Sequence, residues 1–418
     1  MPEQLEGSQA VARAVAACRP EVICAYPISP QTHIVEALSR LVKSGELRPC
    51  EFVNVESEYA AMSVAIGASA TGARAYTATA SQGLLYMAEA LYNASGLSLP
   101  IVMTVANRAL GAPINIWNDH SDSMSQRDSG WIQLYVESNQ EAVDVHVQAF
   151  RLAEALSLPV MVCMDGFILT HAVERVELPE PDRVDAFLPP FEPRQLLDPA
   201  APLSIGAMVG PEAYTEVRYL AHYKQMQALD LIPEVAAAFA QLFGRASGGL
   251  LRPYRSSDAE TIVVALGSVL GTIEDCVDDL RAEGRRIGAV GVRTFRPWPV
   301  QEVRRALAGA RQVIVLEKAL SIGIGGIVAQ NVHRALEGLP VTVHTVIAGL
   351  GGRPITRASL HSLFERGLAG ELPDTTFLDL DHALVDAEIQ RMLGARRSGP
   401  HAENMLRDVG FAGASGRA

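Results

Sequence analysis

The feature that most constrains the fold of this chain is a series of short, continuous apolar segments, each followed by a helical pattern. The first five of these segments span residues 22–26, 52–55, 75–78, 101–105 and 159–163. Strands that stay apolar on both faces are typical of a parallel sheet covered by helices on both sides. The first part of the chain therefore predicts a doubly wound α/β domain.

The same pattern starts again at Thr261, after a Pro-rich excursion over residues 175–210 and a long helical stretch over 211–245. Further strand segments follow at 287–292, 312–316 and 341–347. We therefore expect an α/β protein with two doubly wound, mostly parallel-sheet domains, one over residues 1–245 and one over 246–395. The Gly-, Ser- and Arg-rich residues 396–418 predict a flexible tail.

Composition narrows the class of protein. Hydrophobic residues make up 49% of the chain and charged residues 20%, which excludes a disordered or collagen-like protein. The net charge of −12 argues against a basic face for nucleic acid or an anionic membrane. The acidic N-terminus has no signal-peptide pattern, and no apolar stretch is long enough to span a membrane, so we expect a cytoplasmic protein.

The five cysteines form no CxxC pair, and the ten histidines show no metal-binding spacing. An iron–sulfur cluster or a structural zinc needs closely grouped ligands, so we expect buried free thiols and no metal site in this chain. The glycines at 323–326 resemble the start of a dinucleotide-binding motif, but Val328 stands where its third glycine belongs. Tight helix–sheet packing is the favoured interpretation of these glycines.

Ligands of open α/β sheets bind beyond the carboxyl ends of the strands. In the first domain this rule selects the loops at 27–30, 56–58, 79–83 and 107–130. Glu58 begins a helix in the second of them. It is either an acidic residue favoured by the helix dipole or a carboxylate positioned to share a proton with a ligand nitrogen, and Glu56 competes for that second role.

Arg108 opens the last and longest of these loops. A guanidinium binds a carboxylate through two parallel hydrogen bonds, which suits a small acid substrate. The alternative is a salt bridge to one of the acidic residues that follow it in the loop, Asp119, Asp122 or Asp128. Two further loops leave similar choices: Ser29, between two prolines, is either aimed at a ligand or caps the next helix, and residues 81–83 are either a ligand-facing turn or a plain turn.

Five motifs occur in a specific order along the chain: AYPISPQT at 25–32, VESE at 55–58, ASQGL at 80–84, NRA at 107–109 and WNDHSDSMSQRD at 117–128. Together they closely resemble the alpha subunits of pyruvate:ferredoxin oxidoreductases, thiamine diphosphate enzymes of the 2-oxoacid:ferredoxin oxidoreductase family. The segment DGFILTH at 165–171 and the second domain match too, so the resemblance covers almost the whole chain apart from the tail.

The resemblance implies a thiamine pyrimidine-binding domain followed by a transketolase C-terminal-like domain. Glu58 corresponds to the glutamate that hydrogen-bonds the pyrimidine N1′ of thiamine diphosphate, and Arg108 to the arginine that holds the substrate carboxylate. Ser29 stands where the family usually has Thr, which keeps the hydroxyl and removes a methyl group. The cofactor-binding residues that the resemblance implies are Tyr26, Pro27, Ile28, Glu58 and Gln82.

Partner subunits are implied because this chain lacks parts of the family's machinery. Asp165-Gly166 has no glycine before it and no suitably spaced Asn after it, so the GDG…N pattern for magnesium and diphosphate is missing. Cysteines for iron–sulfur clusters are missing too. The resemblance therefore implies a thiamine diphosphate shared with a beta subunit that holds Mg²⁺, iron–sulfur clusters in partner subunits, a gamma subunit and a ferredoxin-like delta subunit.

The activity that the resemblance implies is oxidative decarboxylation of a 2-oxo acid, with pyruvate favoured, to acyl-CoA and CO₂. Coenzyme A is the co-substrate and ferredoxin the electron acceptor. Branched or aryl 2-oxo acids, such as 2-oxoisovalerate or phenylglyoxylate, remain alternative substrates, with NAD or ferredoxin as acceptor. A non-catalytic scaffold subunit and a transketolase-like carboligase remain alternatives from other classes.

Overall fold

The structure is a computed structural model that describes residues 2–394 and 397–410. Up to Phe243 the chain alternates strands with helices. The strands are β1 (Glu3–Glu6), β2 (Val22–Cys24), β3 (Glu51–Val53), β4 (Ala75–Thr79), β5 (Val102–Asn107), β6 (Ile132–Tyr135), β7 (Val160–Asp165) and β8 (Val173–Val176). The helices are α1 (Gly7–Ala17), α2 (Thr32–Ser44), α3 (Glu58–Ala70), α4 (Ser81–Tyr86), α5 (Ala88–Gly96), α6 (Ser121–Ser125), α7 (Asn139–Leu156), α8 (Ile168–His171), α9 (Pro181–Phe187) and α10 (Tyr214–Phe243).

The remainder of the described chain repeats this alternation. Its strands are β9 (Leu251–Tyr254), β10 (Thr261–Ala265), β11 (Ile287–Val292), β12 (Thr294–Arg296), β13 (Gln312–Glu317), β14 (Thr342–Ile347) and β15 (Thr375–Phe377). Its helices are α11 (Val269–Ala282), α12 (Val300–Leu307), α13 (Val328–Ala335), α14 (Arg357–Leu368), α15 (His382–Gly394) and α16 (His401–Asp408), with a 3₁₀ turn at Leu350–Gly352.

Two large sheets organise these elements. The first has the order β12-β6-β7-β5-β4-β2-β3 and the second β15-β14-β13-β10-β11-β9. Within each sheet all neighbours are parallel except one edge strand, β12 in the first and β9 in the second. The predicted fold class, α/β with two mostly parallel sheets, is therefore confirmed.

The central strands show why the sequence pattern indicates this fold. Every residue of β4, β5 and β7 is buried, as expected for strands covered on both faces. One hydrophobic cluster contains Met103 of β5 in the first sheet together with Val264 and Val315 of the second sheet. This shared core fixes the two sheets relative to each other.

Strand β12 also joins the two parts of the chain. It follows β11 in sequence, but it pairs with β6 of the first sheet, with Thr294 opposite Leu134. Sequence analysis missed this strand because three residues carry too little periodicity. The boundary at residue 245 stays a prediction, and the chain beyond it adds a strand to the first sheet.

The end of the chain contains a helix within the predicted tail. In α16, Asn404 donates from Nδ2 to Glu388 Oε1 of α15 at 3.1 Å. Residues 396 and 411–418 of the predicted tail lie outside the described residues. In the part of the chain that is described, no helix has the length and apolarity needed to cross a membrane.

Candidate functional site

The four loops selected from the sequence follow the carboxyl ends of neighbouring strands in the first sheet, because β2, β4 and β5 run parallel. Residues 27–30 follow β2, α4 begins two residues after β4 ends, and Arg108 directly follows β5. The hydroxyl of Ser81 donates to the Ala109 carbonyl, which ties the start of α4 to the loop after β5. The site therefore lies at one edge of the sheet.

Glu58 is held at the start of α3. The Ser57 hydroxyl accepts a hydrogen bond from the Ala60 amide at 3.2 Å, which caps the helix and fixes the residue that follows the cap. Glu58 is 8% exposed, whereas Glu56 is exposed. Among the described residues none donates a hydrogen bond to the Glu58 carboxylate, so this buried group has its hydrogen-bonding capacity left for a ligand.

The Glu58 carboxylate packs against a glycine of α4. A Cβ on Gly83 would lie 2.7 Å from Glu58 Oε1 and 2.6 Å from Thr79 Oγ1. The Thr79 hydroxyl is buried and has no hydrogen-bond partner among the described residues. Only a residue without a side chain at position 83 allows Glu58 and Thr79 to come this close to α4. This explains why the 80–84 motif has a glycine at that position.

Arg108 lies beside the loop after β2 and is 9% exposed. Its Nε donates to the Asn115 carbonyl at 3.1 Å and its Nη1 to the Ser29 carbonyl at 3.0 Å. Burial lowers the pKa of this guanidinium, and the nearby Asp122 opposes that shift. Two of its five N–H groups are thus used on carbonyls, which leaves N–H groups for a carboxylate.

The alternative of a salt bridge from Arg108 to an acidic residue of its own loop is wrong. Asp119 accepts the amides of Ser121 and Gly351, and Asp128 lies 3.8 Å from Arg127. Asp122 bonds the backbone amide of Arg108, not its side chain. The Arg108 guanidinium therefore has no ion pair with an acidic residue of its own loop and can bind an anionic ligand.

Asp122 connects several loops of the site through hydrogen bonds, a role that the sequence analysis did not predict. Its buried carboxylate accepts hydrogen bonds from Asn107 Nδ2 at 2.8 Å and from the amides of Ser81, Arg108 and Ser123 at 2.9, 3.0 and 2.7 Å. Burial raises the pKa of Asp122 to about 6, against the effect of these donors. One side chain thus joins the loops after β4 and β5 to α6. The acidic cluster at 119–122 pointed to this region of the sequence. It could not identify the role of Asp122, because the donors at Ser81 and Arg108 are distant in sequence.

The remaining predicted residues surround this framework. Ser29 is exposed, and Gln31, not Ser29, occupies the N-cap position of α2, so the capping interpretation of Ser29 is wrong. Tyr26 and Pro27 are exposed, and Ile28 is half-buried. The Oε1 atom of the half-buried Gln82 competes with the Ala109 carbonyl for the single proton of the Ser81 hydroxyl.

Gln31 is a residue that sequence reasoning did not select. It is fully buried, and its Nε2 donates to the carbonyls of Tyr26 at 2.9 Å and Ala78 at 2.8 Å. These two bonds hold the loop after β2 against β4. Gln31 therefore positions the Tyr26–Pro30 segment.

A buried charge network connects the site to the second sheet. His120 Nε2 lies 2.6 Å from Asp165 Oδ1, and Lys318 Nζ lies 3.1 Å from Asp165 Oδ2. Lys318 also bonds Asn118. Burial alone would raise the pKa of Asp165, but the charges of Lys318 and His120 outweigh it and hold that pKa far below its usual range. The network joins the end of β7, the loop after β5 and the end of β13.

The second sheet also holds the loop that supports Arg108. Asn115, whose carbonyl accepts from Arg108, donates from its side chain to the Gly351 carbonyl at 3.1 Å. The Gly351 amide donates to Asp119 Oδ2 at 3.0 Å. A Cβ on Gly352, which has a φ of +81°, would meet Trp117 at 2.3 Å. The 3₁₀ turn therefore fixes the middle of this loop.

The glycine-rich segment at 323–326 shows the packing expected of it. Glu317 accepts the amides of Ile327, Val328 and Ala329 at 2.7, 2.8 and 3.1 Å. A Cβ on Gly326 would lie 2.2 Å from Glu317 Oε1. A carboxylate of the chain itself thus occupies the place where a dinucleotide phosphate would bind.

Comparisons with known proteins agree with this architecture. A family profile described as pyruvate flavodoxin/ferredoxin oxidoreductase, thiamine diphosphate-binding, matches residues 13–237. A second profile, pyruvate:ferredoxin oxidoreductase core domain II, matches residues 259–360. The two matches cover the chain on either side of the Phe243–Leu251 connection.

Individual relatives are similar over most of their length. The pyruvate synthase subunit PorA of Methanosarcina barkeri is 48% identical, with 91% of this chain and 97% of that protein aligned. The PorA subunit of Thermotoga maritima is 43% identical, with 88% and 94% aligned. The ketoisovalerate oxidoreductase subunit VorA of Pyrococcus abyssi is 39% identical, with 86% and 92% aligned.

A solved structure shares the fold. The 2-oxoglutarate:ferredoxin oxidoreductase from Magnetococcus marinus, with 2-oxoglutarate, coenzyme A and succinyl-CoA bound, has a TM-score of 0.66 and 21% identity. The match covers 87% of this chain and 65% of that one, so this chain spans about two thirds of its length.

The fold and these matches define a subunit of a thiamine diphosphate-dependent oxidoreductase. Within that class, the chain belongs to the alpha subunits of the pyruvate:ferredoxin oxidoreductase family.

Proposed function

We propose that this chain, together with partner subunits, catalyses the oxidative decarboxylation of pyruvate to acetyl-CoA and CO₂. The observation that carries the proposal is the pair formed by Glu58 and Arg108. Both side chains are mostly buried at one edge of the first sheet, and both have hydrogen-bonding groups that the described residues leave unused. A carboxylate and a guanidinium in such a state are suited to a cofactor nitrogen and a substrate carboxylate.

The residues at this edge fit the pyrimidine half of thiamine diphosphate. Gly83 lets the Glu58 carboxylate lie directly against α4, and the buried Thr79 hydroxyl beside it has no partner among the described residues. When bound, thiamine diphosphate supplies a thiazolium that accepts the electron pair released when CO₂ leaves. Glu58 would hold a proton at the pyrimidine N1′, and Tyr26, Pro27, Ile28 and Gln82 would line the ring.

Arg108 would orient the substrate. Its free N–H groups would bind the carboxylate of the 2-oxo acid, while the carbonyls of Asn115 and Ser29 hold the guanidinium plane. The exposed Ser29 hydroxyl would contact the substrate or cofactor from the loop after β2. Fixing both ends of the guanidinium in this way reduces the entropy lost when substrate binds.

Partner subunits would supply what this chain lacks. We propose a beta subunit that holds Mg²⁺ and the diphosphate, a gamma subunit, and a ferredoxin-like delta subunit, with iron–sulfur clusters in the partners. Electrons would pass through these clusters to ferredoxin, and coenzyme A would take the acyl group. The support is the absence of the GDG…N pattern and of grouped cysteines from the sequence.

A branched 2-oxo acid such as 2-oxoisovalerate is the second candidate substrate. The VorA relative, which is 39% identical, is named a ketoisovalerate oxidoreductase subunit. Ser29 also leaves one methyl group more room than the usual Thr. One methylene changes discrimination by about 1–3 kcal/mol, so the two substrates compete on pocket volume.

The test is a reconstituted complex with Glu58→Gln and, as the matched control, Glu56→Gln. Glu58→Gln should assemble normally and lower pyruvate-dependent ferredoxin reduction by about 10²–10⁴-fold, because a positioned proton donor is lost. Glu56 is exposed, so its replacement should leave the rate within about twofold. Full activity in the Glu58 variant would overturn the assignment and favour a non-catalytic scaffold. A higher kcat/KM for 2-oxoisovalerate than for pyruvate would favour the second candidate.

A further inference from the structure

A cavity of about 470 Å³ lies apart from the site described above. Residues from α10, from the loop before β6, from β12 and from α13 line it, and none of the residues assigned to the cofactor or substrate does. We call it the arginine cavity, after Arg127, Arg218, Arg296 and Arg334 in its wall. Its volume is in the range of small-molecule binding sites.

The wall of the arginine cavity has a surplus of positive charge. Four guanidiniums face one aspartate, Asp128, in a chain whose net charge is −12. Arg127 lies 3.8 Å from Asp128. Across residues 2–394 and 397–410, no carboxylate comes within 4.0 Å of the guanidinium nitrogens of Arg218, Arg296 or Arg334. Such a concentration of cations repels itself unless an anion binds between them.

Arg296 is the most deeply placed of the four. Its guanidinium lies 4.3 Å over the Phe295 ring, and its Nη1 donates to the Phe295 carbonyl at 3.0 Å. Burial lowers the pKa of this guanidinium to about 10, so it still carries its charge at neutral pH. Arg296 is half-buried, and the charge of Asp128 offsets part of its desolvation cost. A bound anion would offset more of that cost.

The cavity also has an apolar surface. The Trp298 side chain lines it and is 8% exposed, but its indole N–H is fully buried and does not face the cavity. Trp131, Leu158 and Met226 add apolar surface to the wall. A site of guanidiniums and apolar side chains suits a molecule with phosphate charges on an organic body.

We propose that the arginine cavity binds a nucleoside diphosphate group. Arg296 and the flanking guanidiniums hold the phosphates, and the apolar wall contacts the organic part. Because Arg218 lies on α10 and Arg334 on α13, the ligand joins the long helix of the first part of the chain to the second sheet's helices. This chemistry is present in free ADP and ATP and within coenzyme A.

The test is isothermal titration of the full chain with ADP, ATP, coenzyme A, adenosine and inorganic phosphate. Arg218 and Arg334 are exposed, so Arg218→Gln and Arg334→Gln should fold normally. Each should weaken ADP binding about tenfold or more, as should Arg296→Gln. Arg305, which pairs with Glu302 on α12 outside the cavity, provides the control, and Arg305→Gln should leave the affinity unchanged.

The outcomes separate the sources of the ligand. Tighter binding of ADP or ATP identifies a free nucleotide, and tighter binding of coenzyme A identifies the coenzyme, with either result supporting the site. No binding of any of them at millimolar concentration would overturn the proposal. Equal affinity for inorganic phosphate, or ADP affinity unchanged in all three cavity variants, would overturn it as well.

Discussion

Replacing Arg108 tests the substrate-binding role most simply. Of the five N–H groups of its guanidinium, one donates to the Asn115 carbonyl and one to the Ser29 carbonyl, and three remain. A carboxylate that binds through two parallel hydrogen bonds uses two of these three. Arg108→Met removes both bonds and the charge, and Arg108→Lys keeps the charge but presents no planar pair of donors.

The expected magnitudes follow from this count. Hydrogen bonds to charged groups contribute about 1.5–3 kcal/mol each, and Arg108 is nearly buried, so little of this is lost to solvent. Arg108→Met should therefore lower kcat/KM for pyruvate by roughly 10²–10⁴-fold, and Arg108→Lys by roughly 10–150-fold. Most of the loss should be a higher KM, because the substrate carboxylate is bound from the start of the reaction.

The assay is the pyruvate dependence of ferredoxin reduction by the assembled complex. Arg13, which is exposed and pairs with Glu3, supplies the control variant Arg13→Gln, whose KM should not change. Size-exclusion chromatography verifies that each variant assembles. A KM within twofold of the wild-type value in a well-assembled Arg108→Met complex would refute the role.

Three further predictions concern the framework. Lys318→Met should lower the free energy of unfolding by about 3–5 kcal/mol in urea titrations, because it leaves the Asp165 carboxylate buried without its ammonium partner. Adding Asp165→Asn should recover part of this loss. Additive losses in the double variant would contradict the coupling between the two side chains. Burial raises the pKa of Asp122 to about 6, so the native chain keeps a proton that the unfolded chain releases from about pH 4 upwards. The free energy of unfolding should fall by up to about 3 kcal/mol as pH rises from 4 to 6, and an equal fall in Asp122→Asn would refute this. Gly83→Ala should abolish most activity by displacing the Glu58 carboxylate. The control Gly67→Ala should retain activity, because a Cβ at Gly67 has open space. Equal activities of the two variants would show that the close approach of Glu58 to Gly83 is unimportant.

The sequence was sufficient to predict the two sheets and to select the strand ends at which the candidate site residues lie. Continuous apolar strands such as β5 and β7 are buried along their whole length, and their carboxyl ends place Arg108 and Asp165 by simple geometry. Spacing alone left Glu58 and Glu56 as competing candidates, and only the family resemblance favoured Glu58. The structure adds a physical difference, because Glu58 is buried and Glu56 is exposed.

Long-range contacts could not be predicted. The bond between Lys318 and Asp165 joins residues 153 positions apart, and no local pattern specifies it. Asp122 is one of several acidic residues in its loop, and its role depends on amides from three segments. Strand β12 is too short for its pairing partner to be read from periodicity.

The most direct measurement of the central claim is the separation between the Glu58 carboxylate and the pyrimidine N1′ in a structure of the assembled complex with thiamine diphosphate. We predict a hydrogen bond of about 2.7–3.0 Å between a Glu58 oxygen and that nitrogen. A Glu58 side chain directed into solvent, or a cofactor bound without contact to this chain, would contradict the account.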